Sequence, residues 1–328
     1  MRALITGGAG FAGSHLAEHL LEQGQEVVAL AAVTEPLDNL GPILPQVQVE
    51  RLDLRDALRV SEIVREAKPQ RVYHLAALSS PAESLENPLL TYEVNFTGTL
   101  NLLLACRMLG ADCRILIVSS SEVYGVVRPE HLPLREDMAL RPATPYAGSK
   151  AAAELLGLQF FESYGMPVVR TRPFNHTGPR QSAAFVCSDF ARQIAEIDLG
   201  LRPPKIHVGN LQVSRDFSDV RDIVRGYHLL LEKGDPGEVY QLGSGRPVSI
   251  EEILRILIGL ASQCVQVVVE ESRVRHSETP TLWGDTSKAE HAVGWKRHYR
   301  LDTTLRDLKE YWQERLRSEA ASRRERSG

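Results

Sequence analysis

The chain has 328 residues and a formal net charge of −4; 43% of its residues are hydrophobic and 24% are charged. These values are typical of a soluble globular protein of about two domains, and they exclude wholesale disorder and fibrous architectures. With 38 basic against 42 acidic residues there is no positive surplus for a polyanion, so we expect neither nucleic acid nor a membrane as a partner.

Short apolar runs alternate with helical patterns through the first half of the chain. Strands are predicted at residues 2–6, 26–30, 47–52, 71–75, 114–118 and 167–172, and helices at 14–23, 56–67, 91–109 and 146–164. Strand alternating with helix predicts an α/β fold in which helices cover both faces of a doubly wound parallel sheet of Rossmann type.

A glycine-rich loop joins the first strand to the first helix. Gly7, Gly10 and Gly13 have GxxGxxG spacing, which lets backbone N–H groups approach a pyrophosphate at the positive end of a helix. The loop therefore predicts a dinucleotide cofactor. The helix also contains His15-Leu16-Ala17-Glu18-His19, which matches an inverted zinc-protease motif. We predict no metal there, because the helix must begin on the nucleotide loop and pack on the sheet, and we expect solvent-facing histidines.

The end of the second strand bears on the type of cofactor. Ala31-Ala32 offers neither an acid for a ribose 2′-hydroxyl nor an arginine for a 2′-phosphate. Because no acid repels a 2′-phosphate at this point, NADP(H) is slightly favoured, with NAD(H) as the alternative. Asp53, just after the third strand, is expected either to meet the adenine edge or to be an acid at a helix N-terminus.

Two further motifs fall where the predicted sheet would place a reactive site. Ser120 and Glu122 follow the strand at 114–118, and Tyr146 and Lys150 open the helix at 146–164. Residues four apart share a helix face, so an ammonium near the phenol would lower a pKa that is ordinarily near 10. Together with a serine hydroxyl, this arrangement predicts proton exchange with a substrate oxygen.

The second half of the chain has a different texture. Proline, glycine and arginine recur in long connections, and helices are predicted at 185–198, 219–233 and 249–261. We expect residues 1–173 to form the dinucleotide-binding domain, to which some later segments return, and 174–316 to form mainly a smaller α/β substrate-binding lobe. The charged residues 317–328 are predicted to be a disordered tail. The absence of a signal-peptide core and of CxxC spacing among the four cysteines favours reduced, buried thiols and a cytoplasmic location.

These motifs together resemble the extended short-chain dehydrogenases/reductases that modify nucleotide sugars. The resemblance covers residues 1 to about 312 and rests on TGGAGFAG, HLAA, NFTGT, SSSEVYG, YAGSK, RPFN and RDFSDV. It implies reduction of the 4-keto group of GDP-4-keto-6-deoxy-D-mannose to GDP-D-rhamnose. The alternatives are 4,6-dehydration of GDP-mannose, epimerisation, and a non-catalytic dinucleotide-binding scaffold. A homodimer that pairs through the helix at 146–164 is also implied.

The resemblance assigns roles to individual residues. Ser120 would be the catalytic hydroxyl, Tyr146 the proton donor and Lys150 its activator, while Glu122 would be the base of a dehydratase. Glu122 favours dehydration, whereas a serine where dehydratases usually carry threonine counts against it. Reductases of this type can also keep a glutamate here, so Glu122 does not decide the case. The implied cofactor-binding residues are Gly7, Gly10, Phe11, Gly13, Asp53, Leu54, Leu75, Ala76, Ala77, Asn95, Tyr146 and Lys150. The implied residues for a GDP-linked sugar are Ser80, Asn175, Arg180, Val186, Arg215, Arg275 and Glu278.

Overall fold

The computed structural model describes residues 1–110, 113–274 and 279–327. Its strands are β1 (Arg2–Thr6), β2 (Glu26–Ala31), β3 (Val47–Arg51), β4 (Arg71–His74), β5 (Arg114–Val118), β6 (Val168–Pro173), β7 (Asn175–Thr177), β8 (Lys205–Val208), β9 (Ser214–Arg215), β10 (Phe217–Asp219), β11 (Val239–Leu242), β12 (Val248–Ser249), β13 (Gln266–Val269) and β14 (Thr281–Leu282). Its α-helices are α1 (Phe11–Glu22), α2 (Ala57–Ala67), α3 (Pro81–Glu86), α4 (Pro88–Tyr92), α5 (Gly98–Arg107), α6 (Pro145–Tyr164), α7 (Val186–Asp198), α8 (Val220–Lys233), α9 (Ile250–Gly259), α10 (Ser287–Val293) and α11 (Leu301–Ser327).

Seven parallel strands form the central sheet in the order β11-β6-β5-β4-β1-β2-β3. The order reverses between β1 and β4, which pair with Thr6 opposite His74 at their carboxyl ends. In doubly wound sheets a ligand binds outside the carboxyl ends of the strands at such a switch point. The predicted Rossmann-type α/β fold is therefore confirmed, and the fold places the ligand crevice after β1 and β4.

Both faces of the central sheet are buried, which explains the continuous apolar strands. Alternate residues of β1 face opposite ways: Ala3 and Ile5 pack with α1, α8 and α10, whereas Leu4 packs with α2, α5 and α6. The two helical layers hold the strand ends rigidly, so side chains and loops that follow the strands have fixed positions.

A second core forms the smaller lobe. Buried side chains of α7, α9 and α11 pack there with those of β8 and β12. However, α8 packs on α1, and β11 pairs with β6 at the edge of the central sheet. Both elements come from beyond residue 173 and pack with the central sheet and its helices.

The C-terminal segment differs from the sequence-based prediction. Helix α11 runs to Ser327, where a disordered tail was expected from residue 317. Leu305, Leu308, Trp312 and Leu316 are buried at helical spacing, and Arg315 pairs with Glu319 at 3.1 Å, so the helix has both a packed face and an i,i+4 ion pair. Within the described residues, no helix combines the length and apolarity needed to cross a bilayer.

Candidate active site

The glycine loop has a geometry that only glycine allows. Gly7 has φ +68° and lies against Ala76, whose backbone N would be 3.0 Å from an added methyl group. A methyl group on Gly13 would collide with the Gly7 carbonyl oxygen. The first turn of α1 begins at Gly10 with no side-chain cap, so its N–H groups can receive an anion. The loop thus fits the pyrophosphate of a dinucleotide, as its spacing predicts.

The expectation of solvent-facing histidines was wrong for His15, whereas His19 is partly exposed. His15 is buried and donates from Nε2 to the Pro179 carbonyl oxygen at 2.9 Å. His19 lies 3.0 Å from His228 of α8, Nε2 to Nδ1. Helix α1 turns this face toward later segments that return to the sheet, which local spacing cannot reveal. No group of metal-binding side chains occurs among the residues that the structure describes.

Phe11 lies next to the glycine loop and contacts β7, the short strand that follows β6 in the chain. Its ring stacks on His176 of β7 with centroids 5.8 Å apart and planes at 14°. His176 donates to the Phe174 carbonyl oxygen at 3.1 Å, so its ring is fixed. The contact joins the loop to the predicted substrate residue Asn175, which begins β7 and is exposed.

Asp53 does not cap a helix. Its carboxylate pairs with Arg55, Oδ2 to Nη2 at 2.6 Å, and this hydrogen bond holds the pKa of the carboxyl below its usual value. Asp56 instead caps α2 by accepting from the Arg59 N–H at 3.0 Å. Asp53 is therefore not the N-terminal acid that was one alternative, and its contact with adenine stays a prediction. The neighbouring Leu54 is buried.

The three proposed catalytic side chains come from adjacent elements. Ser120 follows β5, and its Oγ accepts from the Glu122 N–H at 3.2 Å. Tyr146 and Lys150 occupy the first turns of α6, where Thr144 caps the helix by accepting from Ala147 N–H at 3.1 Å. The Ser120 hydroxyl lies near enough to the Tyr146 phenol to lower its pKa.

Burial controls the ionisation of this group. It raises the pKa of Tyr146 to about 12, while the hydrogen bond from Ser120 lowers that pKa and the charge of Glu122 raises it further. The net shift of the Tyr146 pKa is therefore upward, and a lowering of this pKa by Lys150 stays a prediction. Burial also lowers the pKa of Lys150 to about 8, against the raising influence of Glu154. Near neutral pH the site holds a neutral phenol and a cationic ammonium.

A directional hydrogen-bond chain links the glycine loop to Asn95. The Ala76 N–H donates to Thr6 Oγ1 at 3.1 Å, and Thr99 Oγ1 donates to the Asn95 carbonyl oxygen at 2.5 Å. Between them, His74 lies 2.7 Å from Thr6 Oγ1 through Nδ1 and 2.8 Å from Thr99 Oγ1 through Nε2. Because Thr99 already donates to a carbonyl, His74 must donate from Nε2 and accept at Nδ1. Burial lowers the pKa of His74 to about 3, which keeps this neutral form.

The hydrogen-bond chain continues from Asn95 to α6, the helix that carries Tyr146 and Lys150. Asn95 lies in a π-helical turn, Glu93–Thr97, that interrupts the long helix predicted at 91–109. Its Nδ2 donates to Ser149 Oγ at 2.9 Å, and Ser149 Oγ donates to the Tyr146 carbonyl oxygen at 2.8 Å. The Asn95 amide also exchanges two hydrogen bonds with the backbone of Leu78. Asn95 therefore fixes the backbone of Tyr146 relative to the loop after β4.

Sequence reasoning missed His74 and Thr99 as parts of the site. Both lie in motifs that were recognised, HLAA and NFTGT. A histidine next to a buried strand end is a signal of a polar partner, but only the pairing of β1 with β4 identifies that partner as Thr6.

Glu122 lies within electrostatic reach of both Arg215 and Tyr146. Burial raises the pKa of Glu122 and lowers that of Arg215, and each charge opposes the shift of the other. Arg215 ends β9 and donates from Nη1 to the Ser214 carbonyl oxygen at 2.8 Å. The structure thus brings a carboxyl group, an arginine and the catalytic phenol to one place.

The other predicted substrate residues are scattered over neighbouring segments. Ser80 caps α3 by accepting from the Glu83 N–H at 3.2 Å, and Val186 begins α7. Arg180 has φ +74° and pairs with Glu18 of α1 at 2.8 Å, so its guanidinium has a partner in the dinucleotide half. Arg275 and Glu278 lie outside the described residues.

Comparison with known proteins defines the class. The family model described as GDP-mannose 4,6 dehydratase matches residues 4–308. The chain belongs to this family of extended short-chain dehydrogenases/reductases, which are NAD(P)-dependent enzymes that act on nucleotide sugars. The Rossmann-type α/β fold of this chain agrees with that membership.

Individual relatives narrow the comparison. The chain is 34% identical over 323 residues to GDP-6-deoxy-D-mannose reductase of Pseudomonas aeruginosa, covering 97% of this chain and 99% of the relative. It is 33% identical over 312 residues to GDP-mannose 4,6 dehydratase 2 of Arabidopsis thaliana, with 90% and 82% covered. The solved structure of RMD from Pseudomonas aeruginosa complexed with NADPH superposes with a TM-score of 0.85 at 34% identity, covering 96% of this chain and 99% of that one.

Proposed function

We propose that the protein reduces the 4-keto group of GDP-4-keto-6-deoxy-D-mannose to give GDP-D-rhamnose. The observation that carries the proposal is the buried Tyr146 phenol, which keeps its proton at neutral pH and lies one turn before Lys150 on α6. A donor that is protonated at neutral pH suits reduction, in which the substrate oxygen gains a proton. The full-length similarity to a GDP-6-deoxy-D-mannose reductase supports the identity of the substrate.

The chain's own residues have distinct tasks in this reaction. A reduced nicotinamide, when bound, supplies hydride to C4 of the sugar. Tyr146 donates its proton to the oxygen that becomes the 4-hydroxyl, and Ser120 donates a hydrogen bond to the same oxygen. The ammonium of Lys150 stabilises the negative charge that develops on Tyr146 when its proton leaves. Arg215 suits the diphosphate because a guanidinium matches phosphate oxygens.

NADP(H) is the favoured cofactor, and NAD(H) is the alternative. The relative of known structure was complexed with NADPH, whereas another neighbour, the UDP-glucose 4-epimerase of Thermus thermophilus, was solved in complex with NAD. Gly7, Gly10, Gly13 and Phe11 would hold the pyrophosphate, and the loop Leu75–Ala77 would face the adjoining riboses.

A second candidate function, 4,6-dehydration of GDP-mannose, is favoured by Glu122. A buried carboxyl with a raised pKa is a stronger base when ionised, and in a dehydratase this residue would remove the sugar C5 proton. Dehydration needs this base, whereas reduction of the keto group does not.

Two substrates separate these functions. Purified protein should oxidise NADPH or NADH only when GDP-4-keto-6-deoxy-D-mannose is supplied, with GDP-D-rhamnose as product. Consumption of GDP-mannose without net cofactor oxidation would instead identify a dehydratase. Glu122→Gln should leave the reductase rate within a few-fold, whereas it would abolish dehydration.

We further propose a homodimer in the cytoplasm. The α5–α6 face, defined by Leu104, Met108 and Leu155, exposes these side chains by 44%, 83% and 52%, and such apolar surface is typical of a protein contact. Of the four cysteines, Cys264 is exposed and the other three are buried, and none is in a disulfide, which supports a reducing compartment. Mass measurement in solution tests the dimer, and localisation of a tagged chain tests the compartment.

A further inference from the structure

The loop after β2 folds back on the glycine loop. Ala32 N–H donates to Glu35 Oε2 at 3.1 Å, and Glu35 N–H donates to the Ala32 carbonyl oxygen at 3.0 Å. The other carboxylate oxygen, Oε1, would lie 3.5 Å from a methyl group added to Gly10. The sequence places no acidic residue at the end of β2. The turn nevertheless brings the Glu35 carboxylate to the same edge of the sheet.

Hydrogen bonds from side chains outside the turn fix its conformation. Arg51 at the end of β3 donates from Nη1 to three carbonyl oxygens of the turn, those of Ala32, Val33 and Glu35, at 3.1, 2.8 and 2.9 Å. Asn39 donates from Nδ2 to the Ala9 carbonyl oxygen of the glycine loop at 3.1 Å. The position of the Glu35 carboxylate relative to the loop is therefore fixed by several independent hydrogen bonds.

The location of Glu35 has a consequence for the adenosine ribose. In doubly wound sheets this ribose lies between the glycine loop and the end of the second strand. A carboxylate at that position accepts a hydrogen bond from a 2′-hydroxyl and repels a 2′-phosphate. We propose that Glu35 is a specificity-determining residue that faces the 2′ position and lets NAD(H) compete with NADP(H). The proposal rests on the dinucleotide binding of the proposed function.

The test measures binding of each reduced cofactor without sugar substrate. Dissociation constants for NADPH and NADH are determined by nicotinamide fluorescence for the native chain and for Glu35→Gln. The amide can still accept from Ala32 N–H, so the turn is kept while the charge is removed. We expect the ratio of the NADPH to the NADH dissociation constant to fall about tenfold, because one charge near a dianion is lost. The change should shrink at high ionic strength.

A matched control removes a nearby charge that does not face Gly10. Asp38 is exposed and begins the 3-10 helix after the same turn, and Asp38→Asn should leave the ratio within about twofold. An unchanged ratio in Glu35→Gln, or an equal change in Asp38→Asn, would overturn the assignment of Glu35. Failure of the native chain to bind either cofactor would instead contradict the proposed function itself.

Discussion

At the scale of single residues, burial sets the chemistry of the site. Tyr146 and Lys150 are both 9% exposed or less, and desolvation favours the neutral form of each group. It therefore moves the two pKa values apart, that of Tyr146 up to about 12 and that of Lys150 down to about 8. The sequence does not predict the upward direction of the Tyr146 pKa shift, because residue spacing carries no information on solvent access.

Replacing Tyr146 removes the proton donor with little change in volume. In Tyr146→Phe we expect the reductase kcat to fall by about 10²–10⁴-fold, the usual contribution of a positioned acid. The NADPH dissociation constant should stay within about threefold, because the ring remains packed. Steady-state kinetics and fluorescence binding measure the two quantities. Turnover unchanged by the substitution would contradict the mechanism.

The lowered pKa of Lys150 predicts a pH dependence. Its ammonium is present below about pH 8 and is lost as the pH rises through that value, whereas Tyr146 keeps its proton until much higher pH. We therefore expect kcat/KM for NADPH, which reports groups of the free enzyme, to fall above pH 8. In Lys150→Met the activity should be low at every pH and this decline should disappear. A native profile that stays flat to pH 10 would contradict the role of Lys150.

At the scale of elements, the catalytic helix is fixed by a buried ion pair as well as by Asn95. Glu154 of α6 is fully buried and accepts from Arg172 of β6 at 2.6 Å, Oε1 to Nη2, and at 3.0 Å, Oε2 to Nε. Arg170 lies 3.6 Å from the same carboxylate. Glu154 thus joins α6 to the sheet one turn beyond Lys150, whose pKa its charge raises.

Neutralising Glu154 should act on both stability and activity. Glu154→Gln leaves the Arg172 guanidinium buried without its counter-charge, and we expect a loss of about 3–5 kcal/mol in the free energy of unfolding. The pKa of Lys150 should fall further, so the decline in kcat/KM should begin at lower pH. Urea unfolding and the pH profile measure these effects. Glu162→Gln, at an exposed position of the same helix, should change neither, and equal effects in both variants would contradict the role of the ion pair.

The sequence predicts local elements better than their association. The strands from β1 to β6 were predicted to within a residue or so, because each is a buried apolar run closed by a turn. The π-helical turn at Asn95 was missed, since its backbone is set by the hydrogen bonds to Leu78 and Ser149 rather than by the local sequence. The position of Glu35 was missed for the same reason. Its carboxylate lies near Gly10 only because Arg51 fixes the turn after β2.

At the scale of the whole molecule, the chain crosses between its two lobes more than once. After β6 it enters the second lobe and returns with α8 and β11 to the central sheet, and α11 finally packs against α7. Sequence texture shifts only once, near residue 173, and so indicates two lobes without revealing these crossings. Two of the predicted substrate residues come from short strands of the second half of the chain, since Asn175 begins β7 and Arg215 ends β9.

The proposed dimer predicts an effect of a charge on the α5–α6 face. Leu155 is 52% exposed on α6, and a carboxylate there would be buried without a partner if two copies pair through this face. We expect Leu155→Glu to halve the mass in solution and to keep native helical content, as measured by light scattering and circular dichroism. Leu58→Glu, at an 80% exposed position on α2, should leave the mass unchanged. If Leu155→Glu retained the dimer mass, this face would be excluded as the contact. A symmetric interface would bury two carboxylates, one from each copy, and their desolvation would cost too much free energy.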